Sequence, residues 1–293
     1  MTQGAMRYGR LRLLAGGVLA CLLSLLTTSC EEEPGCLDVR ANNYQVDAKD
    51  PCTDCCSYPE LRLSFQHNWK TEDTLRNFDT DGDVYTIDGL AYQFSRIRLY
   101  ISDIHLIRDD GTILELNETL QLTFSEGGEA VTQRIEDNFA LIEAGSFQRQ
   151  VPGTYQVNGS FTSLAFTVGV SLPASTASPN QFPDNHPLGT QSPSMYTADS
   201  GYIHSLITFN PASGDSTAQT WEVFGADRVR DVSLPVVFTL DPGFHTELSL
   251  AIDYRSWFEE INLTALPNAA VLDQIVSNQA NSFSLASIRS TLN

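Results

Sequence analysis

Residues 83–116, DVYTIDGLAYQFSRIRLYISDIHLIRDDGTILEL, carry the longest strand-like pattern in the chain. Apolar and aromatic residues alternate with polar ones along it, and a DDG turn at residues 109–111 separates two runs, as in a β-hairpin. Many such runs with few helices predict an all-β fold, an antiparallel, barrel-like β-sandwich. Similar strand-like runs lie at residues 61–69, 153–172, 201–210, 220–225, 232–240 and 246–254.

Helical patterns are confined to two stretches. One is the short segment Leu141–Glu143, and the other is residues 268–283, where four aliphatic side chains recur at helical spacing. We therefore expect a short C-terminal helix. Residues 174–200 contain four Pro and no periodicity. A loop of this length inside a compact domain is usually functional or mobile.

The first 29 residues have the order of a bacterial lipoprotein signal. Basic residues precede a short apolar run, LLAGGVLACLLSLL, and TTSC follows it. This run is shorter than the ~20 residues that a membrane span needs. We expect Cys30 to be the lipidated residue, with Cys21 as the alternative. The acidic EEE at residues 31–33 indicates an outer-membrane protein exposed at the cell surface, or else a plain acidic tether.

The net charge restricts the partners. The chain has 17 Lys and Arg against 36 Asp and Glu, a formal net charge of −19. Loss of the signal removes Arg7, Arg10 and Arg12 and no acid, which leaves 14 basic residues against 36 acidic ones, or −22. A polyanion needs a basic face, so we expect no nucleic-acid partner. The charge suits a soluble surface protein or one that attracts cations.

The remaining four cysteines lie in a small module. Residues 30–59 form an acidic tether and this Cys-rich module, and residues 60–293 form the β domain. The four cysteines are an even number in an exported chain, which predicts two disulfides. Zinc is the alternative, but the gap from Cys36 to Cys52 lacks the paired C-x₂-C spacing of common zinc sites. The four are Cys36, Cys52, Cys55 and Cys56.

The module resembles a short Cys module of Gram-negative surface proteins, GC-x-D-x-x-A-x-NY…C-x-Y. The resemblance implies that Cys36 pairs with Cys56 and Cys52 with Cys55. Pairing of Cys36 with Cys55 and of Cys52 with Cys56 is the alternative, because a vicinal Cys55–Cys56 bridge is strained.

An acidic stretch, DTDGDVYTIDG at residues 79–89, has the start of a calcium loop. Asp79, Asp81 and Asp83 occupy positions 1, 3 and 5 of an EF-hand, but Val84 and Leu90 replace its Gly and Glu. Two interpretations remain, a looser calcium site on the three aspartates and an Asp-Gly hairpin turn, which is favoured. The chain has neither GxSxG nor HExxH nor a glycine-rich phosphate loop, so we expect no enzymatic activity.

Taken in order, the strand-like stretches resemble the MbnP-like family. Its members are periplasmic or surface proteins related to the copper-binding partners of methanobactin-linked di-haem peroxidases. The resemblance spans residues 60–289, and LYISDIHL and GTYQVNGSFTSLAFTVGV are its most specific parts. It implies an all-β sandwich, copper as cofactor, and a di-haem peroxidase or another envelope protein as partner.

The resemblance also locates a degenerate metal site. In the best-known members, copper is held by His and by a Trp oxidised to kynurenine, within M-[YF]-W-x-W-x-S-G-Y. The matching stretch, MYTADSGY, keeps Met195, Tyr196, Gly201 and Tyr202 and lacks both Trp. A second motif, F-x-x-H-x-G, aligns with WEVFG at residues 221–225, which has no His.

Two histidines are the predicted metal ligands. His67 falls where the family often has a His and shares a strand face with Trp69, and His204 follows the Gly-Tyr entry. Imidazole is the commonest copper ligand. We expect His186 in PDNHPLG to shape the long loop. The chain is then either a non-enzymatic copper-handling lipoprotein, or an adhesion or structural module that binds glycan or an envelope protein without metal.

Overall fold

The computed structural model describes residues 34–52, 54–114, 116–191, 195–212 and 217–292. The predicted signal and lipidation site, including Cys21 and Cys30, lie outside these residues. Within the described ranges, no helix has the length and apolar character that crossing a membrane requires.

The described residues are mostly strands, joined by short turns and one long loop. One α-helix, α1 (Ala269–Asn281), precedes the last strand, and its first turn is capped by the Asn268 side chain, which accepts from the amide of Val271. The strands are β1 (Glu60–Lys70), β2 (Leu75–Asn77), β3 (Val84–Ile87), β4 (Leu90–Ile107), β5 (Ile113–Leu114), β6 (Thr119–Glu126), β7 (Glu129–Glu136), β8 (Ala140–Glu143), β9 (Arg149–Thr154), β10 (Gly159–Val168), β11 (Tyr196–Thr197), β12 (Gly201–Tyr202), β13 (Ser205–Pro211), β14 (Gln219–Val223), β15 (Arg230–Leu240), β16 (His245–Asp253) and β17 (Phe283–Thr291).

Two sheets pack face to face, which confirms the predicted β-sandwich. The first has the order β17-β16-β1-β2, with β9 also on β1, and the second has the order β14-β13-β4-β10-β15, with β3, β5 and β8 on β4. The strand pairs within the two sheets are antiparallel except one. β1 and β16 run parallel, with Leu61 opposite Thr246.

The main core lies between the sheets and is rich in aromatic rings. Trp69 of β1 lies 4.5 Å from Tyr85 of β3 between ring centroids, and Phe94 of β4 lies 5.0 Å from Phe258. Trp69 also contacts Phe78, at 5.8 Å. Because these rings come from both sheets and from the turn after β16, they join the two layers.

The predicted turns are confirmed where Gly takes a left-handed backbone. Asp88 and Gly89, with φ of 49° and 78°, connect β3 and β4, as a two-residue hairpin of this kind requires. In the DDG turn, Gly111 has φ of 81° and its amide bonds the carbonyl of Arg108. β5 then pairs back on β4.

One local prediction was wrong, and one hairpin was not predicted. Leu141–Glu143 is not helical, because it belongs to β8, where Ala140 and Ile142 are buried with a period of two and pair with β4. The β6–β7 hairpin was not predicted, although Gly127-Gly128 at its turn is a hairpin signal. Almost every residue of β7 is exposed, so no apolar alternation marks it.

The long loop is a packed cover on the outer face of the second sheet. Tyr100 of β4 points to this face and donates its hydroxyl to the carbonyl of Pro187, at 2.9 Å. Apolar residues of the loop form a second core with it, separate from the sandwich core. They include Ala174, Ala177, Phe182, Leu188 and Met195.

The Cys module carries two disulfides and contacts the β domain. Cys36 is bonded to Cys56 and Cys52 to Cys55, the pairing that the resemblance implies. The side-chain Nδ2 of Asn42 lies 3.2 Å from Nε2 of His245, and the Arg40 guanidinium donates to the carbonyl of Gln156 at 3.1 Å.

Candidate functional site

His67 lies on the inward side of β1 and is held by two groups. Its Nε2 is 3.1 Å from the carbonyl oxygen of Ser146, and its Nδ1 is 2.8 Å from the hydroxyl of Tyr254. A carbonyl only accepts, so Nε2 carries the proton and Nδ1 accepts from the hydroxyl. The lone pair that a metal would use is therefore occupied by Tyr254.

His204 is held in the same way on the second sheet. Its Nε2 donates to the carbonyl of Gly225 at 3.1 Å, and its Nδ1 accepts from the amide of Val170 at 2.9 Å. Its own backbone bonds β4 and β14: the amide of Tyr100 donates to its carbonyl, and its amide donates to the carbonyl of Val223.

The segments that carry the family resemblance meet at His204. Tyr100 belongs to LYISDIHL, Val170 ends the run that starts at GTYQ, and Gly225 ends WEVFG. These partners make His204 a junction between loop and sheet. The imidazole bonds the backbone of two of these stretches, at Val170 and Gly225, and the His204 carbonyl bonds the third, at Tyr100.

Both rings are neutral. Burial lowers the pKa of His67 and of His204, because a charged ring would lose its hydration. Neutral imidazole is the form that binds copper. However, each ring already uses both nitrogens, and the two rings have no hydrogen-bond partner in common. The donor set of this arrangement does not fit copper.

The MYTADSGY stretch forms a small hairpin on the long loop. Tyr196 of β11 pairs with Tyr202 of β12, and Met195 is fully buried beneath it. Tyr202 donates its hydroxyl to the carbonyl of Leu188 at 2.7 Å, and burial raises its pKa. Gly201 has φ of 78°, a left-handed conformation that glycine adopts without strain. Through these contacts the stretch packs against the rest of the long loop.

His186 contacts its own loop. Its Nε2 lies 2.7 Å from a carboxylate oxygen of Asp137, and its Nδ1 accepts from the amide of Leu188 at 3.0 Å. Its ring stacks on Phe182 with centroids 4.8 Å apart. These contacts fix the turn PDNHPLG against the end of the β6–β7 hairpin.

The three aspartates of the calcium hypothesis do not converge. Asp79 accepts from the amide of Asp81 at 2.7 Å, which is a local turn, and Asp83 faces Arg76 at 3.7 Å. Their loop connects β2 in the first sheet with β3 in the second. Among the residues that the structure describes, only Cys52, Cys55 and Cys56 form a group of three close metal-ligating side chains, and all three are in disulfides.

The family assignment rests on the sequence model of MbnP, which matches residues 58–274 of this chain. The chain belongs to the MbnP family. The match starts just before β1 and ends inside α1, so it includes every strand of the two sheets except β17. The resemblance read from the strand stretches is confirmed.

One solved structure of the family is similar to this chain. MbnP from Methylosinus trichosporium is 18% identical to it, with a TM-score of 0.41 over 72% of this chain and 81% of that chain. Among curated protein sequences, none matches.

The sequence pointed to His67 and His204 but did not reveal the hydrogen-bond partners of their ring nitrogens. Tyr254 closes the run TELSLAIDY, and nothing in that run marks it as a partner of His67. The partners of His204 are backbone groups, which no residue type reveals. A buried histidine at a family position is therefore insufficient to predict a ligand.

Proposed function

We propose that this MbnP-family protein is a lipid-anchored, non-enzymatic binding protein of the cell surface that works without a copper centre. Its partner is a glycan or an envelope protein. The observation that carries the proposal is the double engagement of His67 and His204, since every ring nitrogen of both has a protein partner.

The tryptophans support the same proposal. The chain has three, and Trp69, Trp221 and Trp257 are all buried in the sandwich core, at 2% exposure or less. None of them lies in the MYTADSGY hairpin. A partner enzyme that oxidises tryptophan would have no Trp to reach there. The copper site that the resemblance implies needs His and an oxidised Trp. In this chain the ring nitrogens of His67 and His204 are already bonded, and the hairpin has no Trp.

The copper question is decided by titration of the whole chain, purified in mild detergent, with Cu(I) under reducing, anaerobic conditions. We expect no stoichiometric copper above background, because binding requires each ring to give up a hydrogen bond of 2.8 or 2.9 Å. The His67→Ala and His204→Ala variants are expected to give the same result. Competition with a Cu(I) chelator of known affinity provides the measurement.

One equivalent of copper in the parent chain that is lost in His67→Ala would overturn this proposal and restore the copper-handling function. Circular dichroism of each variant shows whether it is folded. The titration therefore compares folded proteins only.

The lipid anchor is tested separately. In a Gram-negative host fed with labelled palmitate, we expect the chain to take up label, and the Cys30→Ser variant to lose it. The Cys21→Ser variant is the matched control and keeps the label, since its cysteine lies inside the apolar run. Labelling that depends on Cys21 and persists in Cys30→Ser contradicts the assignment.

A further inference from the structure

The Cys module carries a patch of exposed apolar side chains. Four large ones fall within ten consecutive residues and are each 40% exposed or more: Leu37, Val39, Tyr44 and Val46. On the β domain, no ten-residue stretch that the structure describes holds more than two such side chains. Scattered apolar residues are normal on a protein surface, whereas a concentrated group marks a site of interaction.

The backbone brings the two halves of this patch together. The amide of Gln45 donates to the carbonyl of Cys36 at 2.8 Å. Leu37 follows Cys36 in the chain, and Tyr44 and Val46 flank Gln45. The exposed apolar side chains therefore belong to two neighbouring segments of the module rather than to separate surfaces.

The opposite side of the module rests on the β domain. Arg40 and Asn42 both contact groups of that domain, and Ala41 between them is 2% exposed. Val39, which precedes Arg40, is 60% exposed. The module thus has one side against the sandwich and an apolar side in solvent.

The apolar side lies close to the point where the proposed anchor joins the module. Only residues 31–33 separate Cys30, the proposed lipidated residue, from Pro34. Four peptide units span at most about 14 Å, so Pro34 stays within that distance of the anchored residue. A tether this short keeps the patch at the bilayer, and even a weak contact becomes effectively intramolecular.

The charge of the segment restricts the kind of lipid surface. Residues 31–58 contain seven Asp or Glu and two basic residues. Anionic headgroups attract polybasic segments and repel a segment of this charge. Zwitterionic headgroups impose no such repulsion, and a tyrosine ring such as that of Tyr44 is suited to the headgroup level.

We propose that this apolar patch, Leu37, Val39, Tyr44 and Val46, seats the Cys module on a bilayer surface of zwitterionic lipid. Apolar side chains of surface-bound segments lie at the boundary between headgroups and acyl chains. The inference rests on the proposed lipid anchor and deepens it, because a seated module gives the β domain a defined orientation on the membrane.

That orientation follows from where the module sits. It directly precedes β1, and its Asn42 contacts His245, the first residue of β16. The starts of β1 and β16 then face the bilayer. β1 has 11 residues, so its other end, where Leu75 of β2 lies opposite Lys70, is about 33 Å away along the strand. The end with β2 is presented to the surroundings of the cell.

The test places a tryptophan in the patch. The whole chain, acylated in a Gram-negative host, is reconstituted in phosphatidylcholine vesicles whose acyl chains carry bromine, which quenches tryptophan on contact. The three native tryptophans are 2% exposed or less and give an unquenched background. We expect the added emission of the Val46→Trp variant to fall by at least half relative to vesicles without bromine.

Leu75→Trp is the matched control. Leu75 is 67% exposed and Val46 is 73% exposed, so neither substitution disturbs packing. The tryptophan introduced at position 75 is expected to keep its emission, because it lies at the far end of β1. Leu37→Ser in the Val46→Trp background removes a neighbouring apolar side chain and is expected to reduce the quenching.

Vesicle flotation separates this inference from the proposed anchor. Chain that does not float with the vesicles lacks the anchor, and that result overturns both. Floated chain with equal quenching in the two tryptophan variants, or with none in either, overturns this inference alone. Emission of Val46→Trp that shifts to shorter wavelength without quenching means that a second copy of the chain covers the patch, which also contradicts the proposal. Stronger quenching in vesicles that contain phosphatidylglycerol contradicts the choice of a zwitterionic surface.

Discussion

Replacement of Phe94 by alanine is expected to lower the free energy of unfolding of the β-sandwich by about 3–5 kcal/mol. Phe94 is 1% exposed and packs against Phe258, Phe78 and Trp69, with ring centroids between 5.0 and 6.1 Å away. Its neighbours belong to both sheets. The lost stability therefore has two parts. One is the transfer free energy of the buried ring, and the other is the cost of a cavity that the rigid aromatic neighbours cannot fill.

Chemical denaturation followed by tryptophan fluorescence measures this loss. Phe147→Ala is the matched control, because the same ring at position 147 is 82% exposed and its removal is expected to cost within about 0.5 kcal/mol. Equal losses in the two variants would mean that Phe94 does not join the two sheets.

The second large effect concerns the disulfides of the Cys module. Opening Cys36–Cys56 is expected to destabilise the module by about 3 kcal/mol, and opening Cys52–Cys55 by about 2 kcal/mol. The bridges close segments with sequence separations of 20 and 3, and a longer closed segment restricts the unfolded chain more. Among the described residues between 34 and 58, only Cys36 and Ala41 are buried apolar residues, so little packing compensates.

Hydrogen exchange at the amides of Asn42 and Gln45 reports on the module, because they bond the carbonyls of Ser57 and Cys36. A double serine variant of each disulfide is compared with the parent chain. Tryptophan fluorescence serves as the control for the β domain, since all three tryptophans lie beyond residue 60. Faster exchange after loss of the short bridge than after loss of the long one would contradict the chain-entropy argument.

Periodicity predicted the strands that have one buried and one exposed face. β1 and β16 alternate in this way, and both were found close to their predicted bounds. β8 is only four residues long, too short for a period of two to be told from a helical turn. In the β6–β7 hairpin, Leu120, Leu122 and Phe124 of β6 alternate with polar residues and pack in the second core, so β6 and the Gly-Gly turn both carried a signal that was missed.

The candidate sites were less predictable than the strands. The sequence predicted His67 and His204 as metal ligands, but the groups that bond their ring nitrogens are distant in sequence or belong to the backbone.

The parallel pairing of β1 with β16 has a consequence for how the chain matures. β1 is the first strand of the sandwich to leave a ribosome or an export channel, and its partner follows almost a whole domain later. At biosynthetic speeds this delay is on the order of ten seconds or more. Until then β1 lacks its β16 neighbour, and the first sheet cannot close around it. The first sheet is therefore complete only when nearly all of the chain has been made.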